Sequence, residues 1–361
     1  MGNKATSFLE NKFYYLYLIG FFLILALPLL NLPPWFSPPD WGKTIVFRII
    51  LSLMIFLFIW QILSQKANNN LSVIIQNVLH KKSKVFWGFW LLIALLWVYF
   101  LATLFSQDPA FSFWGSPYRS GGFLNFAFYI IFAILAFLIL RKSNWQKIWD
   151  FSIVIGIFVS VVAIFQQFGL FSKTIIPYEG RMPSTIGGPI FLGLYLLLLL
   201  FPALFFGIKE KYLGKKFFYL FSLLLFLYII LITGSRAVYV GLLIGILYFI
   251  FFYPKKLISP PHQKFWCGGL LKIFAGVLLF STIYGIYCVN TAPEKIPQSI
   301  QENRIFQAIS PRLSIDLAIQ DPRFSGWQVS FEAIKEKPIL GYGPENFSIG
   351  FDKYYDPSLP Y

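Results

Sequence analysis

The sequence predicts an all-α polytopic integral membrane protein, and three observations carry that prediction. Hydrophobic residues make up 57% of the 361 and charged residues only 12%, whereas a soluble domain carries about 25% charged residues. Apolar runs recur from Phe13 to Val289, each near the roughly 20 residues that cross a bilayer as a helix. Lys and Arg gather in alternate connections between those runs, the pattern that sets cytoplasmic against outer loops.

The first run, Phe13 to Leu30, follows Lys4 and Lys12. It is too long for a signal peptide, and Asn31-Leu32-Pro33-Pro34-Trp35 offers no small-x-small cleavage site. Further runs at about 44–63, 85–105, 121–140, 149–170, 188–207, 217–232, 237–253 and 270–289 give about nine transmembrane helices. With the N-terminus cytoplasmic, the inner segments hold seventeen Lys and Arg, and the short outer connections hold five, Lys43, Arg119, Lys173, Arg181 and Arg236. An odd number of spans then puts residues 290–361 outside. The expected domains are a helical bundle over 1–289 and a large extracytoplasmic loop over 290–361. The net charge of +15 does not point to nucleic acid, because the basic residues lie between apolar runs instead of clustering on a solvated face. Cys267 and Cys288 fall at opposite ends of one span, about 30 Å apart, which is too far for a disulfide.

Within the loop, Trp327, Phe331 and Ile334 recur at helical spacing and predict an amphipathic helix over 326–336, ended by Pro338. Gly341-Tyr342-Gly343-Pro344 reads as a turn, since two glycines permit positive φ and the proline bars a helix.

Thr233-Gly234-Ser235-Arg236-Ala237 sits between two membrane-length runs, where an arginine is costly unless it meets water or an anion. Ala237, Gly241 and Gly245 follow at four-residue spacing and allow close approach of a neighbouring helix. A packing stripe with an arginine reaching the headgroups is the competing account. The short outer connections are rich in arginine, with Arg119, Arg181 and Arg236 flanked by Gly or Pro and Arg48 nearby, whereas the inner ones are rich in lysine. Lysine suffices for topology, but the guanidinium fork grips phosphate oxygens. The pattern points to a phosphate or diphosphate site. Paired outer carboxylates for a divalent metal are lacking, and His80 and His262 fall in cytoplasmic loops, so neither a metal nor a cofactor is expected.

Thr-Gly-Ser-Arg-Ala-x-x-x-Gly over 233–241 resembles the signature of the O-antigen ligase and O-antigen polymerase family of bacterial membrane glycosyltransferases. Gly115-Ser116-x-x-Arg119-x-x-Gly122, Gly180-Arg181-Met182-Pro183 and Pro338-Ile339-Leu340-Gly341-Tyr342-Gly343-Pro344 are similar to further parts of it, over about residues 110–350. The resemblance implies a GT-C-like helical bundle in the cytoplasmic (inner) membrane. It also implies cofactor-free, metal-independent, inverting transfer of a glycan from undecaprenyl diphosphate to a lipid or glycan acceptor, in cell-surface polysaccharide biosynthesis. Arg181 and Arg236, supported by Arg119, would hold the diphosphate, and Thr233, Gly234, Ser235 and Gly241 would shape the turn. The family's catalytic histidine is expected beyond Tyr361, so the resemblance implies a chain that binds the donor without transferring the glycan. Glu345 is the nearest carboxylate in a matched motif and reads as an exposed turn residue. Ligase and polymerase remain open, as do a lipid-linked glycan transporter or flippase and a non-catalytic fragment or membrane subunit.

Overall fold

The computed structural model describes residues 2–31, 40–63, 84–116, 120–170, 178, 180–252, 284–285, 287–302, 306–307, 310, 314 and 323–355. Every regular element among them is a helix. Among the described residues five helices are long and apolar enough to cross a membrane: Trp41–Leu63, Trp87–Leu104, Trp145–Gln167, Pro189–Lys209 and Leu213–Thr233. Phe13–Leu29, Phe123–Ile139 and Arg236–Phe249 are shorter apolar helices. The protein is therefore an all-helical polytopic membrane protein. Eight of the nine expected runs are helical, but only five reach membrane length, and the ninth, 270–289, lies largely outside the described residues. Shortening has local causes: Phe123–Ile139 starts directly after the extended Gly122 and stops at the extended Leu140. The spans expose large side chains, Leu198 by 71% and Leu91 by 67%, which only a lipid surround accommodates over so much area.

Packing divides the chain into two compact units, Met1–Ile148 with Pro322–Tyr361, and Trp149–Asp321. This division follows contacts, whereas the expected 1–289 and 290–361 division follows sidedness. In the first unit α1 (Gly2–Ala26), α2 (Asp40–Leu63), α3 (Lys84–Leu104), α4 (Pro109–Trp114) and α5 (Phe123–Ile139) pack in neighbouring pairs. Their core holds Tyr17, Phe21, Phe47, Leu51, Met54 and Leu135, with Phe132 tilted against Phe21 and edge-on to Phe47. The second unit is built on α6 (Trp145–Gln167), α7 (Pro189–Lys209), α8 (Leu213–Thr233) and α9 (Arg236–Phe252). Leu192, Leu196, Phe226, Ile229, Ile230 and Val238 are fully buried between its helices. Close approach of α9 to α7 uses Gly241 and Gly245, where an added Cβ would stand 3.0 Å from Leu197 and 2.1 Å from the Phe201 ring. Ala237 is exposed, so the packed face runs through Val238, Gly241 and Gly245 and not through Ala237 as the four-residue spacing implied. A 3.6-residue period turns a strict four-residue stripe by about 40° per step.

The extracytoplasmic segment of the prediction contains α10 (Arg323–Glu336) and α11 (Phe347–Tyr354), packed on each other in the first unit. The helix expected over 326–336 is present, with Trp327, Phe331 and Ile334 on an exposed face. Val329 and Ala333 are buried, Ala333 against Gly350. Small side chains let the two short helices come together, and the large ones are left on the outside.

Candidate functional site

The turn at the end of α8 is built from its own sequence. Thr233 closes the helix, fully buried, with its hydroxyl donating to the Ile230 carbonyl at 2.7 Å. Gly234 then takes the left-handed conformation at φ 61° and ψ 30°, which a glycine adopts without a Cβ penalty. The chain reverses within Gly234 and Ser235, and Arg236 is the first residue of α9. The predicted tight reversal is therefore present.

Arg181 comes to this turn from the preceding connection. Its Nη1 donates to the carbonyls of Thr233 at 3.2 Å and Gly234 at 3.3 Å, so its positive charge sits on the negative, C-terminal end of α8. The loop that delivers it is clamped to the end of α6. Gln166, almost fully buried, accepts from the Ser184 amide at 2.8 Å, and the Ser184 hydroxyl donates to the Val159 carbonyl at 2.6 Å. The Tyr178 hydroxyl donates to the Gln166 carbonyl, and Met182 is buried. Arg181 and Arg236 thus share one turn, with different surroundings. Arg181 caps a helix C-terminus. Arg236 stands half-buried at a helix N-terminus, where the macrodipole disfavours a cation and favours an anion beside it.

Residues 221–361 match a protein-family model described as O-antigen ligase. These residues belong to the O-antigen ligase family. Compared with the curated proteins and with the solved structures, the chain matches none. The O-antigen ligase segment opens within α8 and contains the Thr233–Ala237 turn, Gly241 and the Gly341–Asn346 motif; Arg181 lies before it, yet hydrogen-bonds to its turn. An O-antigen ligase-like role in cell-surface polysaccharide biosynthesis accords with this membership.

A second cluster, in the first unit, was not foreseen. The Gly341–Asn346 turn docks on the connection between α3 and α5. The Gln107 amide donates to the Tyr342 carbonyl at 3.0 Å, and the Ser112 hydroxyl to the Pro344 carbonyl at 2.8 Å. Asn346, buried, donates through Nδ2 to the Ser112 hydroxyl and the Tyr342 carbonyl, each at 3.1 Å. Glu345 is not the exposed residue expected. It is half-buried at φ 64°, and its carboxylate accepts from the Ser116 amide at 3.3 Å and covers Gly121. A carboxylate so engaged anchors the two ends of the loop, Ser116 and Gly121. Arg119, within that loop, lies outside the described residues, as do His80 and His262. The signal for this docking was present as a dense Gly-Tyr-Gly-Pro-Glu-Asn run, but sequence alone named no partner for it. Among the described residues no group of three His, Cys, Asp or Glu side chains could hold a metal ion.

Proposed function

We propose that the chain is a membrane glycosyltransferase of the O-antigen ligase type, handling a glycan carried on undecaprenyl diphosphate at the outer face of the cytoplasmic membrane. The observation that carries this reading is Arg181 bound to the carbonyls of Thr233 and Gly234, beside Arg236. In the proposed reaction an acceptor sugar hydroxyl forms a bond to the anomeric carbon as that carbon's bond to the diphosphate oxygen breaks. The electron pair leaves on undecaprenyl diphosphate, and the hydroxyl proton is released to water at the outer face. Arg236 faces the charge that grows on the leaving diphosphate, with the amides of the first turn of α9 behind it. Arg181 fixes the turn.

Binding of an undecaprenyl-diphosphate-linked glycan to the purified chain in nanodiscs tests this. Each charge-assisted hydrogen bond contributes about 1.5–3 kcal/mol, so Arg236→Ala should weaken binding by about tenfold or more. Arg236→Lys should restore only part, because an ammonium lacks the fork. Unchanged binding in both Arg181→Ala and Arg236→Ala would leave helix packing as the whole role of these residues.

A further inference from the structure

Arg48 is a second membrane-embedded arginine, and the site above does not use it. It lies seven residues into the apolar span that starts at Trp41, about 10 Å along the helix. Its Nε donates to the Asn125 Oδ1 at 3.2 Å, and its guanidinium lies 6.0 Å from the Phe128 ring centroid. Asn125 is the third residue of α5, so this bond carries the guanidinium to the level of the first turn of α5. The amide is locked in that orientation, because Asn125 Nδ2 donates to the Tyr129 hydroxyl at 3.2 Å. Nη2 of Arg48 is buried and has no hydrogen-bond partner among the described residues.

Every partner named here is neutral. A guanidinium does not lose its proton in a protein, and a charge held among apolar helices without a counter-ion is strongly disfavoured. Among the described residues no carboxylate pairs with Arg48, which leaves its fork open to an anion from outside the chain. At the end of a membrane helix, within reach of the bilayer's phosphate layer, the anion whose geometry fits a guanidinium fork is a phosphate. We propose that Arg48, oriented by Asn125, binds the phosphate of a lipid in a notch between α2 and α5. The site belongs to the first unit, and the proposal stands apart from the reading of Arg181 and Arg236 in the second. Two lipids offer this chemistry, a polyprenyl diphosphate and an ordinary anionic phospholipid.

The test uses the full chain with two probes: farnesyl diphosphate, titrated into protein in nanodiscs, and phosphatidylglycerol, counted by native mass spectrometry after release from mild detergent. Arg48→Gln removes the charge. Asn125→Asp keeps the helix link and supplies an internal carboxylate, so it should leave thermal stability at or above that of the parent while evicting the external phosphate. We expect both variants to bind one of the probes at least about tenfold more weakly. Loss of farnesyl diphosphate identifies the phosphate as that of a prenyl-linked lipid; loss of phosphatidylglycerol identifies it as that of the surrounding bilayer. Both probes bound by Asn125→Asp as by the parent would overturn the proposal, and Arg48 would then be a helix–helix link only. Arg236→Ala run beside them separates the two sites, since its effect on farnesyl diphosphate bears on the α8–α9 turn alone.

Discussion

Replacing Gly343 by alanine should release the docked turn of the loop, and the structure gives the size of the effect. Gly343 has φ 96°, and a Cβ built on it stands 2.1 Å from the Ser106 Cβ, 3.0 Å from the Ser106 Cα and 3.0 Å from the Ser112 hydroxyl. The positive φ costs an L-residue about 1–2 kcal/mol. Forcing a methyl into packed atoms costs about 1–3 kcal/mol more, and here the nearest atom is a Cβ close to backbone, which cannot swing away. The total of about 2–5 kcal/mol corresponds to roughly 30-fold to several-thousand-fold weaker docking. Gly341 is the control in the same turn, with φ 66° and nothing within 4 Å of its added Cβ. Gly341→Ala should therefore show the backbone cost alone, about 5- to 150-fold less than Gly343→Ala. Hydrogen exchange at the Gln107 amide, which donates to the Tyr342 carbonyl, reads the docking in nanodiscs. Equal protection in Gly343→Ala and Gly341→Ala would refute the packing argument.

Two further outcomes follow from the same geometry. Glu336 accepts from Lys353 at 2.7 Å, Tyr342 at 2.6 Å and Tyr354 at 2.5 Å, and these bonds, that of Lys353 first, lower its pKa from 4.5 to about 2. Because the folded value is depressed, the link between α10 and α11 is at full strength above about pH 4.5 and weakens as pH falls towards 2. The distance distribution between spin labels at Glu332 and Asp352 should broaden in that window, and in Glu336→Gln it should be broad at every pH. For sidedness, a cysteine at Ile339, 91% exposed, should react with an impermeant maleimide on intact cells, while one at Leu213, 79% exposed, should react only after permeabilisation. The reverse labelling would invert the orientation derived from the Lys and Arg count.

Much of the fold was legible because a bilayer demands long apolar helices, and their lengths and flanking charges are written directly in the sequence. The tight turn was equally legible, since Thr233-Gly234-Ser235 is local chemistry and the left-handed Gly234 follows from it. The face of α10 was not. Trp327, Phe331 and Ile334 have the right spacing for a buried stripe, but packing against α11 selected the small Val329 and Ala333. Glu345 was misread for a related reason. A carboxylate next to a proline reads as exposed unless its distant partner, here the Ser116 amide, is known. The pairing of Arg181 with the α8 turn crosses 52 residues; sequence placed both arginines at one boundary, and only the fold made one of them a helix cap.

The central claim, that the turn between α8 and α9 receives a lipid diphosphate, is tested most directly by locating one. A farnesyl diphosphate analogue bearing a diazirine next to the diphosphate, photolysed with the full chain in nanodiscs and mapped by peptide mass spectrometry, should label residues 180–188 and 233–241. Excess undecaprenyl diphosphate should suppress that labelling, and Arg236→Ala should reduce it by about tenfold or more. Labelling that avoids both segments, or that is the same in Arg236→Ala as in the parent, would contradict the account.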